Sequence, residues 1–106
     1  MKPIEIEIEN HGDEAVVRLS GEFDLASARE FLRAVAEVHG QAPKVVTVDL
    51  SQVSFMGASG LRSLLDLEAR SRREGFRLEV VKGPPLVHRV FEMTGVERRL
   101  DMVDSR

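Results

Sequence analysis

The sequence predicts a single α/β domain built on a mixed sheet, in the order ββαβαβα with a short closing β. Three observations predict it. Ile4, Ile6 and Ile8 alternate with Glu5, Glu7 and Glu9 at the start of the chain. Apolar residues then recur at helical spacing in three stretches, and short strand-like runs separate them. Strands alternating with helices imply parallel crossovers, and a tight hairpin at the start adds one antiparallel pair, so the sheet is mixed.

The period of two across Ile4 to Ile8 marks a half-exposed strand at or near a sheet edge. His11-Gly12-Asp13 supplies a turn into Glu14 to Ser20, the second arm of a hairpin, which Gly21 and Asp24 end by opening a loop. Ser27 has the position of an N-cap with Glu30 as its capping-box partner. Phe31, Leu32, Val35 and Val38 form the apolar stripe of a first helix from Ala26 to His39, stopped by Gly40 and Pro43. Lys44 to Leu50 is β-branched and short, the pattern of a central strand buried on both faces, and Ser51 to Ser54 reads as the polar turn after it. Leu61, Leu64, Leu65 and Leu67 carry a second helix to about Arg73, ending at Gly75. Phe76 to Val81 is a further strand. Pro84 and Pro85 suit the first turn of a third helix, because proline's missing N–H is not needed there. Its apolar face is Leu86, Val87, Val90 and Phe91, with His88 on the polar side and Gly95 as the residue that ends it. Leu100 to Val103 closes the chain as a last short strand.

One domain, residues 1–106, accommodates all of this. Its 15 basic and 18 acidic residues are scattered, for a net charge of −3, so no basic block attracts a nucleic-acid backbone. The absence of cysteine removes disulfides, thiolate metal sites and a thiol nucleophile together, and fits a reducing cytoplasm. The amino terminus lacks a continuous apolar segment, and no apolar run reaches the roughly 18 residues needed to span a membrane. Nucleophilic catalysis needs a base beside the nucleophile, yet no motif brings His11, His39 or His88 to Ser59. The turn around Ser59 misses the G-x-S-x-G spacing because Leu61 stands at its last position. No metal-binding motif or phosphate-cradling loop occurs. A binding module without catalytic residues, metal or cofactor is expected rather than an enzyme.

Val48 to Leu65 holds the remaining signal: a strand runs into Met56-Gly57-Ala58-Ser59-Gly60 and then a helix. The first N–H groups of that helix lack intrahelical acceptors and sit at the positive end of its dipole, so a phosphoryl group there would be favoured. The plainer alternative is that Ser59 caps the helix and the glycines permit a tight turn.

The phrase Val48-Asp49-Leu50-Ser51-Gln52-Val53-Ser54-Phe55-Met56-Gly57-Ala58-Ser59-Gly60-Leu61 resembles the STAS-domain signature of bacterial anti-sigma factor antagonists. Leu19-Ser20-Gly21-Glu22-Phe23-Asp24 is similar to the family's loop between second strand and first helix, and Val90-Phe91-Glu92-Met93-Thr94-Gly95 to its closing helix. The three phrases keep the family order over essentially the whole chain. The resemblance implies a STAS-like mixed sheet with helices packed on one face. It also implies a role: binding an anti-sigma factor and so freeing a sigma factor for transcription. In partner-switching systems that anti-sigma factor is a GHKL-type serine kinase, which phosphorylates the antagonist at the start of the second helix; a phosphatase reverses the modification. Partner binding is accordingly expected at Glu22, Asp24, Met56, Gly57, Ala58, Ser59, Gly60 and Arg62. A Phe and a Met expected to be exposed beside the second helix suit either that partner or a homodimer contact.

The chain departs from the family at one place. The usual Asp-Ser-Ser/Thr-Gly reads Gly57-Ala58-Ser59-Gly60, so the acceptor hydroxyl and the carboxylate before it are both missing. Ser59 is the candidate phosphorylation residue that remains. Successive helical residues point about 100° apart, which turns its hydroxyl away from the usual acceptor direction and toward a capping role. Three alternatives stand: a permanently binding antagonist, Ser59 as substitute acceptor, or a stand-alone STAS subunit docking on a transporter or larger signalling assembly.

Overall fold

A computed structural model describes residues 4–104. Strands β1 (Glu5–His11) and β2 (Glu14–Phe23) form the antiparallel hairpin, turning at Gly12 with a left-handed φ of 64° that glycine adopts without a steric penalty. Helix α1 (Leu25–His39) leads to β3 (Val45–Met56), α2 (Ala58–Glu74) to β4 (Arg77–Val81), and α3 (Pro85–Thr94), with a 3-10 turn at Val96–Arg98, to β5 (Met102–Val103). The sheet runs β1-β2-β3-β4-β5 in sequence order, and every pair after the hairpin is parallel. Right-handed crossovers between parallel strands added always to the same side put every connecting helix on the same face. β1 is an edge strand, as its alternation predicts.

The covered face carries Ala15, Val17 and Leu19 of β2, Val46, Val48 and Leu50 of β3, and Leu78 and Val80 of β4, all buried. Against them pack Phe31, Val35 and Val38 of α1, Leu61, Leu64 and Leu67 of α2, and Val87 and Phe91 of α3. Phe23 and Phe31 meet at a centroid distance of 5.0 Å with a 54° tilt, a favourable aromatic geometry.

The expectation that β3 is buried on both faces is overturned. Its second face carries Thr47, Asp49 and Ser51, which no helix covers; a polar cleft there includes Glu14, Arg18 and Glu79. Thr47 is shielded by its strand neighbours, its hydroxyl lying 3.4 Å from Glu14 and 3.5 Å from Glu79. Asp49 accepts the Ser51 N–H at 2.9 Å.

Both central strands also run past their expected ends. β2 continues from Ser20 to Phe23 and β3 from Leu50 to Met56, because two register shifts let β3 absorb extra residues beside β2. The inward residues of β3 then become Leu50, Val53 and Met56, three apart instead of two, so the strand period disappears from the sequence. Gly21, at φ 101°, accommodates the irregularity.

Helix ends differ as well. The N-cap of α1 is Asp24, not Ser27. Ser27 occupies N3, where its hydroxyl accepts the Asp24 N–H at 3.1 Å and donates to the Glu22 carbonyl. Glu30 instead faces Arg33. Leu32 and Leu86, both expected in apolar faces, are exposed. His88, placed on the polar side of α3, is largely buried: it stacks on Phe91 and its Nε2 lies 3.2 Å from Glu97. Leu100 is buried but precedes the short β5.

Phe31 and Leu32 are adjacent in sequence and opposite in environment. Phe31→Ala should cost about 3–5 kcal/mol in urea denaturation through cavity formation, while Leu32→Ala should stay within about 0.5 kcal/mol of the parent.

Candidate functional site

Parallel pairing of β2 with β3 brings their C-terminal ends side by side, Glu22 opposite Phe55 and Phe23 opposite Met56. The Gly57 N–H then donates to the Phe23 carbonyl at 2.9 Å, tying the turn before α2 to the turn before α1. The two sequence phrases around Asp24 and Ala58 therefore form one continuous surface.

Two glycines make that contact sterically feasible. At Gly60, buried in the first turn of α2, an added Cβ would overlap the Phe23 carbonyl oxygen and lie 2.9 Å from the Phe23 ring. A Cβ at Gly57 would collide with the Asp24 carboxylate, reaching its Cγ at 2.5 Å. The space from which an acidic residue at 57 would project is thus held by the acid from the neighbouring loop.

Gly57 is the N-cap of α2, and no side chain caps the helix. Ala58 is the first helical residue and is exposed, so the helix's positive end opens to solvent there. Ser59 is the second helical residue and half-buried; the capping role expected for its hydroxyl is not what the structure shows, since the N-cap is Gly57. The Ser59 carbonyl accepts the Ser63 hydroxyl at 2.9 Å. Arg62 is exposed one turn further along α2, while Glu22 and Asp24 are half-buried.

Two of the expected contact residues present no side-chain surface. Met56 is 4% exposed and belongs to the core, so the exposed methionine expected beside α2 is not Met56, and Gly60 is buried beneath the Phe23 carbonyl. The apolar surface comes instead from Leu25, 73% exposed at the start of α1, and Phe55, 49% exposed beside Glu22. Phe55 directly follows the Ser51–Ser54 stretch and supplies the exposed Phe expected beside the second helix; the β3 irregularity is what aims it outward.

The histidines are engaged elsewhere, His11 with Glu9, His39 with Glu74 and His88 with Glu97. His88, Glu92 and Glu97 bring potential ligand atoms within 4.8 Å of one another, a grouping formed by α3 and its following turn rather than at this surface. Among the described residues no helix is long and apolar enough to cross a membrane.

The family model described as "Mlab, STAS domain" matches residues 6–104. The anti-sigma-F factor antagonist RsfB of Mycobacterium tuberculosis is 27% identical over 95 residues, 90% of this chain and 77% of that protein. An anti-sigma F factor antagonist of Paenibacillus polymyxa is 27% identical over 103 residues, 96% of this chain and 88% of that protein. The crystal structure of an anti-sigma factor antagonist from Mycobacterium paratuberculosis superposes with a TM-score of 0.84 at 29% identity, covering 93% of this chain and 84% of that one.

The junction generates a ranking. Gly60→Ala meets backbone and should destabilise by roughly 1–3 kcal/mol, as overpacking does. Gly57→Ala meets a side chain that can swing away and should cost less, while displacing Asp24. Urea denaturation of both variants, with amide chemical shifts for the Asp24 loop, checks the order.

Proposed function

The chain belongs to the STAS domain family, and we propose that it works as an anti-sigma factor antagonist, a protein-binding regulator that sequesters an anti-sigma factor and frees a sigma factor for transcription. The observation that carries this reading is the joined surface at the ends of β2 and β3. An exposed helix N-terminus, the acids Glu22 and Asp24, the cation Arg62 and the apolar Leu25 and Phe55 lie around one backbone hydrogen bond. Antagonist relatives covering nearly the whole chain support the same role. Such a regulator would act in the bacterial cytoplasm, where sigma factors meet RNA polymerase.

The partner, in this reading, is an anti-sigma factor of the serine-kinase type, and the usual phospho-switch is absent. Ala58 stands exposed at the first position of α2 without an oxygen to modify. A phosphoserine would add about −1.5 to −2 charge at a contact surface, enough to disrupt docking beside acidic groups. Without it the chain stays in its binding form. Ser59 lies one residue further round the helix and is half-buried, which disfavours it as a substitute.

Capture from the native cell, followed by binding measurements with the recovered partner, tests the surface. Arg62→Glu and Asp24→Asn should weaken binding by roughly tenfold or more; both leave thermal unfolding nearly unchanged, since Arg62 is exposed and asparagine remains a competent N-cap. Normal binding by both would place the contact elsewhere, and recovery of a transporter ATPase in place of a sigma-linked protein would favour a docking subunit.

Incubation with the kinase partner and ATP tests the missing switch. The parent should acquire no phosphate and keep its affinity, whereas Ala58→Ser should become phosphorylated and lose it. Stoichiometric phosphoserine at Ser59 with loss of binding would show an ordinary switch displaced by one residue.

A further inference from the structure

Helix α3 and the turn after it gather a histidine and two glutamates that the proposed partner contact does not use. His88 and Glu92 stand four residues apart on α3, which puts them on one side of the helix. Gly95 stops α3 at a left-handed φ of 75°, and the chain turns through Val96–Arg98, which brings Glu97 to the same place. One ligand atom from each of the three lies within 4.8 Å of the others. No linear metal motif describes this set, because its third member arrives through the glycine turn.

The imidazole is the fixed part. The His88 side chain is 14% exposed, and its ring stacks on Phe91 at a centroid distance of 5.8 Å and an angle of 17°. Its Nδ1 is buried without a partner, so Nε2 is the nitrogen open to a ligand, and it lies 3.2 Å from a Glu97 carboxylate oxygen. Ligand atoms placed tetrahedrally at about 2.0–2.2 Å from a zinc ion stand roughly 3.3 Å from one another. Nε2 and Glu97 already hold that separation, and Glu92, exposed on the helix, closes the remainder by rotating its side chain. Among the described residues, Arg89, Arg98 and Arg99 are neighbours in sequence, yet the ion pair formed here is His88 with Glu97. With the imidazole neutral, two carboxylates face the space between the three groups.

We propose that His88 Nε2, Glu92 and Glu97 bind one zinc ion, water completing the tetrahedron, and that the ion clamps α3 to the turn leading into β5. Zinc takes the place of the proton that Nε2 holds toward Glu97, and the ring keeps its single proton on Nδ1. A ligating histidine usually donates that second N–H to an acceptor, and losing such a partner costs roughly 10–100-fold in affinity. Nδ1 has none, which sets the expected affinity in the micromolar range. The nitrogen ligand selects zinc over magnesium, which prefers oxygen and keeps its waters.

Calorimetric titration of the tag-free full chain with zinc chloride in a non-chelating buffer, together with histidine-ring NMR shifts, tests the assignment. One saturable site is expected, with ring shifts led by His88 and a rise in thermal unfolding temperature as the ion binds the folded state. Glu92→Gln, at an exposed position, should weaken zinc roughly tenfold or more without altering the fold. His88→Gln should abolish the site, whereas His11→Gln and His39→Gln, which alter the other two histidine–glutamate pairs, should leave it unchanged. Magnesium should bind roughly tenfold more weakly or less. Absence of saturable binding below millimolar zinc would overturn the proposal, as would an unchanged affinity in Glu92→Gln, equal affinity for magnesium, or ring shifts led by His11 or His39.

Discussion

The hydrogen bond from the Gly57 N–H to the Phe23 carbonyl organises the proposed contact end of the protein. It forms only because α2 begins flush against the end of β2, with Gly60 lying so close to Phe23 that a methyl group does not fit. The position of Ala58, the direction in which Phe55 faces solvent and the proximity of Asp24 to Gly57 all depend on that approach. A surface made from two loops thereby inherits the rigidity of two adjacent strands, which is what a recognition surface requires if little ordering entropy is to be lost on binding.

Sheet order accounts for the rest of the architecture. Parallel strands added one after another in the same direction, each through a right-handed crossover, place all three helices on one face. The N-termini of α1, α2 and α3 then gather at the end where the parallel strands finish. The other face is mainly polar, with Arg18 facing Asp49 and the Thr47 hydroxyl within reach of Glu14 and Glu79. The C-termini of α1 and α2 lie at the far end, where they line an open recess with Pro43 and Phe76.

The chain carries Gly57-Ala58 where the resemblance implies an Asp-Ser pair, so one carboxylate and one hydroxyl are missing from the start of α2. The Asp24 carboxylate occupies the space that a side chain at 57 would need, so the turn keeps an acid beside the helix start. In the proposed reading the missing hydroxyl removes the usual acceptor and leaves Ser59 as the hydroxyl in the first turn of α2. In that reading the contact surface depends on backbone packing and the switch on one oxygen atom, so the one can persist without the other.

The element order, the edge position of β1, the N-terminal proline turn of α3 and its glycine stop at Gly95 were legible in the sequence, because each follows from local rules of period, proline geometry and left-handed φ. The meeting of the Asp24 and Ala58 segments was legible only through resemblance to a family, as no local property of either segment points to the other. The alternation of Val46, Val48 and Leu50 with Thr47, Asp49 and Ser51 already carried the one-sided burial of β3, but its apolar content suggested a strand buried on both faces. The remainder belonged to tertiary structure. Bulges shift the inward residues of β3 to Leu50, Val53 and Met56, so Met56 enters the core and Phe55 faces out, which no fixed period can report. Asp24 displaces Ser27 as cap because the end of β2 sets where α1 begins. Sequence period determines which residues are able to be buried, whereas strand register and helix entry decide which of them are.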